Sequence, residues 1–238
     1  MRATRLLAVL AIAAFSLAAA PPAKKAAAPA AKRPAAANWN AVVVRTASGT
    51  HLLGNPNAKV KLGEYVSYTC SHCAEFHVAS EAALRLNYVQ SGNVSVEINH
   101  VLRDPVDATI AQLVNCGPSS KFLINHSMFL RSQSKWIGML ARSTPVQRNR
   151  WYTGDRAMRM RAVASDFHFY DMMATRGYDR MTLEKCISDN ALAERLASIS
   201  EASNKLGIDH TPSFTLDGAL LLGTSDWNLL EPQIAARL

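Results

Sequence analysis

The sequence predicts an α/β fold that is interrupted by a helical insertion. A β-α-β pattern runs from Val60 to Leu102, and its right-handed crossover places two parallel strands in one sheet. From Asp104 to about Asp189 the patterns are helical and broken by capping residues. A long helix, two short strands and a last helix follow. We therefore expect the layout β, β-α-β, helical insertion, α-β-β-α.

The first 19 residues have the pattern of a secretory signal peptide. Arg2 and Arg5 precede an apolar stretch from Leu6 to Leu17, and small residues follow it. A membrane span needs about 20 apolar residues, so a cleaved signal is favoured over an uncleaved anchor. Residues 20–38 are rich in Ala, Pro and Lys, which predicts a linker because prolines break any alanine helix. The protein is then expected in the periplasm, where disulfides persist.

The distribution of charge argues against a nucleic-acid-binding protein. The chain has a net charge of +8, from 26 basic and 18 acidic residues. Six of the basic residues and none of the acidic ones precede Trp39, so the rest of the chain carries only +2. A basic nucleic-acid domain is therefore not predicted.

Strand, helix and turn patterns outline the predicted elements. The strand from Val60 is apolar on both faces, which is typical of the middle of a covered sheet. In chain order we expect strand Ala41–Arg45, turn Gly54–Asn57, strand Val60–Tyr68, a helix from Thr69-Cys70 to Gly92-Asn93, strand Val94–Leu102, the insertion, helix Asn190–Leu206, strands Ser213–Leu216 and Ala219–Leu222, and a helix after Ser225.

The segment Cys70-Ser71-His72-Cys73 carries the predicted chemistry, because it lies where a buried strand passes into a helix. The N–H groups and the dipole of a helix N-terminus favour an anion, and the thiolate is the reactive form of cysteine. Cys70 is therefore the expected nucleophile, and Cys73 lies one turn on, near enough to close a disulfide. His72 can stabilise the Cys70 thiolate by charge or by a hydrogen bond. Stabilising the reduced form makes the disulfide a stronger oxidant.

Two other interpretations of this cysteine pair stay open. It is compatible with half of a structural zinc site, but such a site usually needs a second pair, and Cys116 and Cys186 are far apart in the sequence. A purely structural disulfide is also possible in an exported protein. The position at the strand-to-helix junction favours redox chemistry over both.

The run from Glu64 to Cys73 resembles the active-site strand and helix of the DsbA family of thiol:disulfide oxidoreductases, and Thr211-Pro212 resembles its substrate loop. The resemblance implies a thioredoxin fold, residues 39–104 and 190–238, with an inserted all-α helical domain, residues 105–189. It implies that Cys70 attacks and Cys73 resolves. Ser71 departs from the proline that is common in the most oxidising members of the family.

The resemblance also implies roles for Pro212, Thr211 and Glu64. From the residues alone Pro212 is a strand-start residue with a trans bond, whereas the family implies a cis bond beside the cysteines and pairing of the Thr211 backbone with an extended substrate. Glu64 shares a strand face with Leu62 and Val66, so it lies either at an exposed edge or in the interior with a raised pKa. The family implies that this acid handles protons near the cysteines.

Cys116 and Cys186 bracket the insertion and are predicted to form a structural disulfide. We expect Cys116 in the first helix of the insertion and Cys186 just before the long helix that returns to the sheet. In an oxidising compartment two adjacent thiols would be paired. The alternative is two buried free cysteines that act as small apolar residues.

These observations predict an exported oxidase that donates the Cys70–Cys73 disulfide to reduced or unfolded exported proteins. The resemblance implies reoxidation by a DsbB-type membrane partner linked to quinone, and no metal or other cofactor is expected. Alternatives are an isomerase or reductase that uses the same residues, or a non-enzymatic module that carries a metal on Cys70, Cys73 and a histidine. No dimerisation domain is expected before the catalytic region, which weakens the isomerase alternative. A monomer is expected.

Overall fold

The computed structural model describes residues 38–238, and the predicted signal peptide and nearly all of the predicted linker lie outside these residues. One six-stranded sheet, in the order β1-β2-β4-β3-β5-β6, carries the fold. Its strands are β1 Val43–Arg45, β2 His51–Gly54, β3 Val60–Val66, β4 Val94–His100, β5 Ser213–Leu216 and β6 Ala219–Leu220. The fold class predicted from the sequence, a thioredoxin fold with an inserted helical region, is confirmed.

Eleven α-helices follow or connect the strands within the described residues. They are α1 Ser71–Ala83, α2 Pro105–Val114, α3 Ser119–Arg131, α4 Gln133–Trp136, α5 Gly138–Arg142, α6 Pro145–Tyr152, α7 Arg156–Asp166, α8 Phe169–Ala174, α9 Arg180–Ser188, α10 Asn190–Lys205 and α11 Trp227–Ala235. A 3-10 helix, Trp39–Ala41, precedes β1, and a π-helix, Leu84–Val89, continues α1. No helix of this part of the chain is long and apolar enough to cross a membrane.

Strand β3 occupies the interior of the sheet and thereby positions the cysteines. It pairs in parallel with β4, with Glu64 opposite Ile98, and antiparallel with β5, with Glu64 opposite Phe214. Six of its seven residues are buried, as expected for a strand that is covered on both faces. The chain leaves this strand at Val66 and enters α1 five residues later.

Two details of the predicted layout are wrong. The sequence analysis missed β2, which lies between β1 and β4 and is antiparallel to both; its four residues are too few to show a period. The helix of the cysteines begins at Ser71 rather than Thr69, because Cys70 keeps an extended backbone as its N-cap. Pro232 lies inside α11, the helix predicted after Ser225.

The insertion packs on the sheet through a shared apolar core. Val106 and Ile110 of α2, Phe129 of α3 and Leu196 of α10 belong to the same buried cluster as Val66 of the sheet. Capping side chains set the starts of several of these helices: Asp104 caps α2, and Thr144 forms a capping box at α6. The helices that flank the cysteines are therefore held against a continuous interior.

Candidate active site

Cys70 and Cys73 lie at the junction of the central strand and α1. Cys70 is the N-cap of the helix, and Cys73 lies within its first turn. Cys70 is 6% exposed, whereas Cys73 is 0% exposed. Since a substrate sulfur can approach only an accessible sulfur, an incoming thiol reaches the pair through Cys70.

The loop before β5 closes over Cys70 from the other side. The thiol of Cys70 donates a hydrogen bond to the carbonyl oxygen of Thr211, with a distance of 3.1 Å. The peptide bond between Thr211 and Pro212 is cis. The Thr211 hydroxyl oxygen is buried and forms no hydrogen bond within residues 38–238. It can therefore donate a hydrogen bond to Cys70 once that sulfur is a thiolate. Residues that are 141 positions apart thus meet at one sulfur atom.

The surroundings of Cys70 favour its thiolate. A hydrogen bond from the Cys73 thiol is the largest influence, and together with bonds from Thr211 and from the backbone N–H groups of Cys73 and His72 it lowers the pKa of Cys70 to about 5. Burial opposes this shift. Unpaired N–H groups at the start of α1 supply the backbone donors. A pKa of about 5 favours the thiolate of Cys70 at neutral pH, which is the form that acts as a nucleophile.

Cys73 has the opposite ionisation. Burial, followed by the hydrogen bond and the charge of Cys70, raises the pKa of Cys73 well above its ordinary value. The reduced pair therefore holds one thiolate, at Cys70, and one proton, on Cys73. This division matches an attacking and a resolving cysteine, which need different protonation states.

His72 acts on Cys70 through its backbone. Its side chain points to solvent, and the group that stabilises the Cys70 thiolate is its backbone N–H. The sequence analysis left open whether charge or a hydrogen bond would be used. The backbone N–H of His72 lowers the pKa of Cys70, and a role for the imidazole stays a prediction.

Asp107 fixes the turn before Cys70, and the sequence analysis did not identify it. Its buried carboxylate accepts hydrogen bonds from the backbone N–H groups of Tyr68 and Thr69, at 2.6 and 3.1 Å, and from the Ser67 hydroxyl at 2.7 Å. It also accepts one from the backbone N–H of Arg103 at 3.2 Å. An acid in the first turn of a capped helix was the available signal, but its partners lie 38 to 40 residues earlier.

Gln133 is a second residue that the sequence analysis missed. Its amide nitrogen donates to the carbonyl oxygens of Tyr68 and Cys70, at 2.7 and 2.8 Å. Both carbonyls belong to the turn into α1, and Gln133 starts α4 in the insertion. The insertion therefore helps to hold the backbone of the active-site turn, and buried carbonyls that lost this donor would carry a cost of about 1–3 kcal/mol.

Glu64 is buried in the interior of the sheet rather than at an exposed edge. It is 3% exposed, and burial raises the pKa of Glu64 to about 7, while the nearby His77 opposes the shift. Glu64, His77 and His126 line a cavity of about 40 Å³, which is large enough for a water molecule. No hydrogen bond joins the carboxyl of Glu64 to either cysteine within the described part of the chain. Its role in proton handling stays a prediction.

Glu64→Gln is expected to flatten the pH dependence of stability. Because the folded pKa of about 7 exceeds the ordinary 4.5, the acid stabilises the fold below about pH 4.5, and this contribution is lost as the pH rises through 7. The full shift corresponds to about 3 kcal/mol. Urea unfolding of oxidised protein at pH 4 and pH 8 measures it, with the exposed Glu194→Gln as the matched control. Parallel pH profiles for wild type and Glu64→Gln would contradict the assignment.

Cys116 and Cys186 form a disulfide that is separate from the CxxC pair. Their Cα atoms are 5.7 Å apart across a sequence separation of 70. Cys186 lies in α9, while Cys116 lies two residues beyond the end of α2 rather than inside that helix. The bond ties the beginning of the insertion to its end.

A groove runs beside the cysteines. It has a volume of about 470 Å³, and its lining includes Phe76, Trp227, Thr211 and Pro212. The backbone N–H of Thr211 makes no hydrogen bond within residues 38–238. An extended polypeptide can therefore pair with this backbone while its side chains contact the aromatic residues of the groove.

The part of the chain that the structure describes holds no group of three or more His, Cys, Asp or Glu side chains that could bind a metal ion.

Comparison with known proteins identifies the family and the fold of this chain. The family model described as Thioredoxin matches residues 46–236. The crystal structure of a protein-disulfide isomerase from Novosphingobium aromaticivorans is 53% identical, with a TM-score of 0.77 over 79% of this chain and 97% of that one. Wolbachia pipientis alpha-DsbA1 has a TM-score of 0.63 over 79% of this chain and 89% of its own, at 19% identity, and shows the same fold.

Curated relatives match over a smaller part of their length. A Rickettsia bellii protein with the provisional name protein-disulfide oxidoreductase is 24% identical over 172 residues, which cover 70% of this chain. The match spans 56% of the relative, so the chain corresponds to little more than half of that protein.

Proposed function

Because the chain belongs to the thioredoxin family and has the fold of its DsbA-like members, we propose that it is a protein thiol:disulfide oxidoreductase that acts as an oxidase. It would donate the Cys70–Cys73 disulfide to reduced proteins. The observation that carries the proposal is the asymmetry of the pair: the more exposed Cys70 has a pKa lowered to about 5, and the fully buried Cys73 has a pKa raised well above its ordinary value. Each pKa unit by which the thiolate is favoured stabilises the reduced enzyme by about 1.4 kcal/mol, and this drives disulfide donation.

Two exchange steps complete the proposed reaction. A substrate thiolate attacks Sγ of Cys70 in the oxidised enzyme, the Cys70–Cys73 bond breaks, and Cys73 leaves as a thiolate that takes up a proton. A second substrate thiolate then attacks the substrate sulfur of this mixed disulfide, and Cys70 leaves as a stabilised thiolate. The substrate loses two electrons and gains a disulfide, and the enzyme gains both electrons.

Export and the redox partner are parts of the same proposal. The signal-like residues 1–19 and the Cys116–Cys186 disulfide support a periplasmic protein, because disulfides persist there. Reduced exported proteins would be its substrates, a DsbB-type membrane protein linked to quinone would reoxidise it, and it would act as a monomer. Cell fractionation with sequencing of the mature N-terminus tests export.

An isomerase is the second candidate, since the Novosphingobium relative carries that name. An isomerase must also release Cys70 from wrongly paired substrates, so it works best with a less oxidising pair. The third alternative, a metal carrier, needs Cys70, Cys73 and a histidine together, and residues 38–238 do not assemble such a group.

Equilibration with glutathione at pH 7 separates oxidase from isomerase and reductase. We expect a reduction potential less negative than about −180 mV, the range of strong protein oxidants, whereas reductases lie near about −270 mV. A parallel assay compares oxidation of a reduced dithiol peptide with reactivation of scrambled ribonuclease. A potential near that of the reductases, or reactivation of ribonuclease without net peptide oxidation, would overturn the oxidase assignment.

A further inference from the structure

A second pocket lies beyond the active-site turn, between the segment Leu102–Pro105 and the helices α7 and α10. Its volume is about 340 Å³. Most of its wall is apolar, with Trp151, Met160 and Leu196 as its larger apolar side chains. The charged residues of the lining are Arg103, Arg156, Arg159 and Asp104, so the pocket has an excess of positive charge.

The charged groups of this pocket differ in whether they already have partners. Asp104 caps α2 and accepts a bond from the Thr69 hydroxyl, and Arg156 donates to the Ile187 carbonyl and to Asn190. Within the described residues, the side chains of Arg103 and Arg159 form no ion pair and no hydrogen bond, and Nε of Arg159 is buried without a partner. A buried guanidinium nitrogen without an acceptor is costly, so Arg159 is suited to an anion that enters the pocket.

The pocket is continuous with the groove beside the cysteines. A depression of about 350 Å³ lies between them. This depression shares Leu102 and Arg103 with the second pocket, and it shares His210 and Thr211 with the groove. A chain that pairs with the Thr211 backbone and continues past His210 therefore passes Arg103 next. An extended strand rises about 3.3 Å per residue, so a side chain several positions from the reacting cysteine reaches the pocket.

We propose that Arg103 and Arg159 form a subsite for an acidic side chain of the polypeptide that exchanges disulfides at Cys70. This inference rests on the proposed function, since it assumes that a polypeptide occupies the groove. A guanidinium binds a carboxylate through two parallel hydrogen bonds, and the apolar wall suits the methylene groups of a glutamate. Glu75 and Asp226 line the groove itself, so the excess of positive charge lies at the pocket and not in the groove.

The test uses one set of peptides with a single cysteine and one glutamate, placed at each position up to five residues before or after it. The matched set carries glutamine instead. We expect one or two positions at which glutamate raises kcat/KM about tenfold in the wild type, equal to about 1.4 kcal/mol, with a smaller advantage at high salt. In Arg103→Gln/Arg159→Gln this ratio should fall to about one. In the matched control Arg142→Gln, an exposed residue outside the pocket, the ratio should stay at about ten.

Three readouts keep this test separate from that of the proposed function. Binding of the same peptides with serine in place of cysteine reports the subsite without any chemistry, and the melting temperature and glutathione potential of the double variant report its fold. No glutamate preference at any position in the wild type, or an unchanged preference in the double variant, overturns the subsite. Failure to oxidise the glutamine peptides, with peptide binding intact, overturns the oxidase and leaves the subsite standing.

Discussion

A Cys70→Ser variant is expected to lose disulfide donation completely, whereas Cys73→Ser should still react once and then stop. Of the two cysteines Cys70 is the more exposed, at 6% against 0%, and only Cys70 has surroundings that favour a thiolate. A serine hydroxyl is not ionised at neutral pH and cannot form the mixed disulfide. We expect at least a thousandfold loss in the oxidation of a reduced dithiol peptide, which corresponds to about 4 kcal/mol of activation free energy.

The paired variant supplies the control for this experiment. In Cys73→Ser the Cys70 thiolate survives, although it loses the hydrogen bond that contributes most to its lowered pKa. It should attack a peptide disulfide and hold it as a mixed disulfide, because the internal resolving thiol is gone. A non-reducing gel detects this adduct. If Cys70→Ser formed the adduct and Cys73→Ser did not, the roles of the two cysteines would be reversed.

Replacing both Cys116 and Cys186 with alanine is expected to destabilise the fold strongly without stopping exchange at Cys70. The bond closes a span of 70 residues, and loss of such a cross-link costs about 4 kcal/mol in the chain-entropy description. For a domain of this size that lowers the melting temperature by about 10 °C. The bond lies outside the groove and outside the active-site turn, so peptide oxidation below the melting temperature should stay near the wild-type rate.

Thermal unfolding with and without a strong reductant checks this assignment. In a Cys70→Ser/Cys73→Ser background, where Cys116–Cys186 is the one bond left to reduce, reductant should lower the melting temperature towards that of the same protein with alanine at both positions, and should leave the latter unchanged. Thiol counting in the denatured, fully oxidised wild type should find no free thiol. Two free thiols, or equal melting temperatures for the two proteins without reductant, would show that the cysteines are not bonded.

The sequence was most informative where the signal is local. Cys70 and Cys73 stand three residues apart at a change from an apolar strand to a helical pattern, and both features lie within one short segment. The burial of Glu64 was one of two options, and the choice between them required the neighbours of its strand. Those neighbours, Ile98 and Phe214, are set by pairing across the whole chain.

Contacts between residues that are far apart in the sequence could not be predicted from it. Asp107 and Gln133 hold the turn before Cys70 from 38 to 65 residues away, and no periodicity in the sequence encodes such a bond. Strand β2 was missed for a related reason, since its stability comes from pairing with β4 rather than from its own four residues. The identity of residue 72 did not indicate which of its groups lowers the pKa of Cys70. The backbone N–H of His72 contributes to this shift, and any residue except proline would supply that N–H.

The ionisation of Cys70 tests the central claim most directly. The ultraviolet absorbance of thiolate is followed between pH 3 and pH 10 in the reduced wild type, with Cys70→Ser as the blank that removes the signal. We predict a transition at about pH 5, so the thiolate is almost fully formed at pH 7, and His72→Ala should leave the midpoint nearly unchanged. A midpoint near the ordinary value of about 8.5 would contradict the account, because Cys70 would then be protonated at neutral pH and the reduced enzyme would lack the stabilisation that drives disulfide donation.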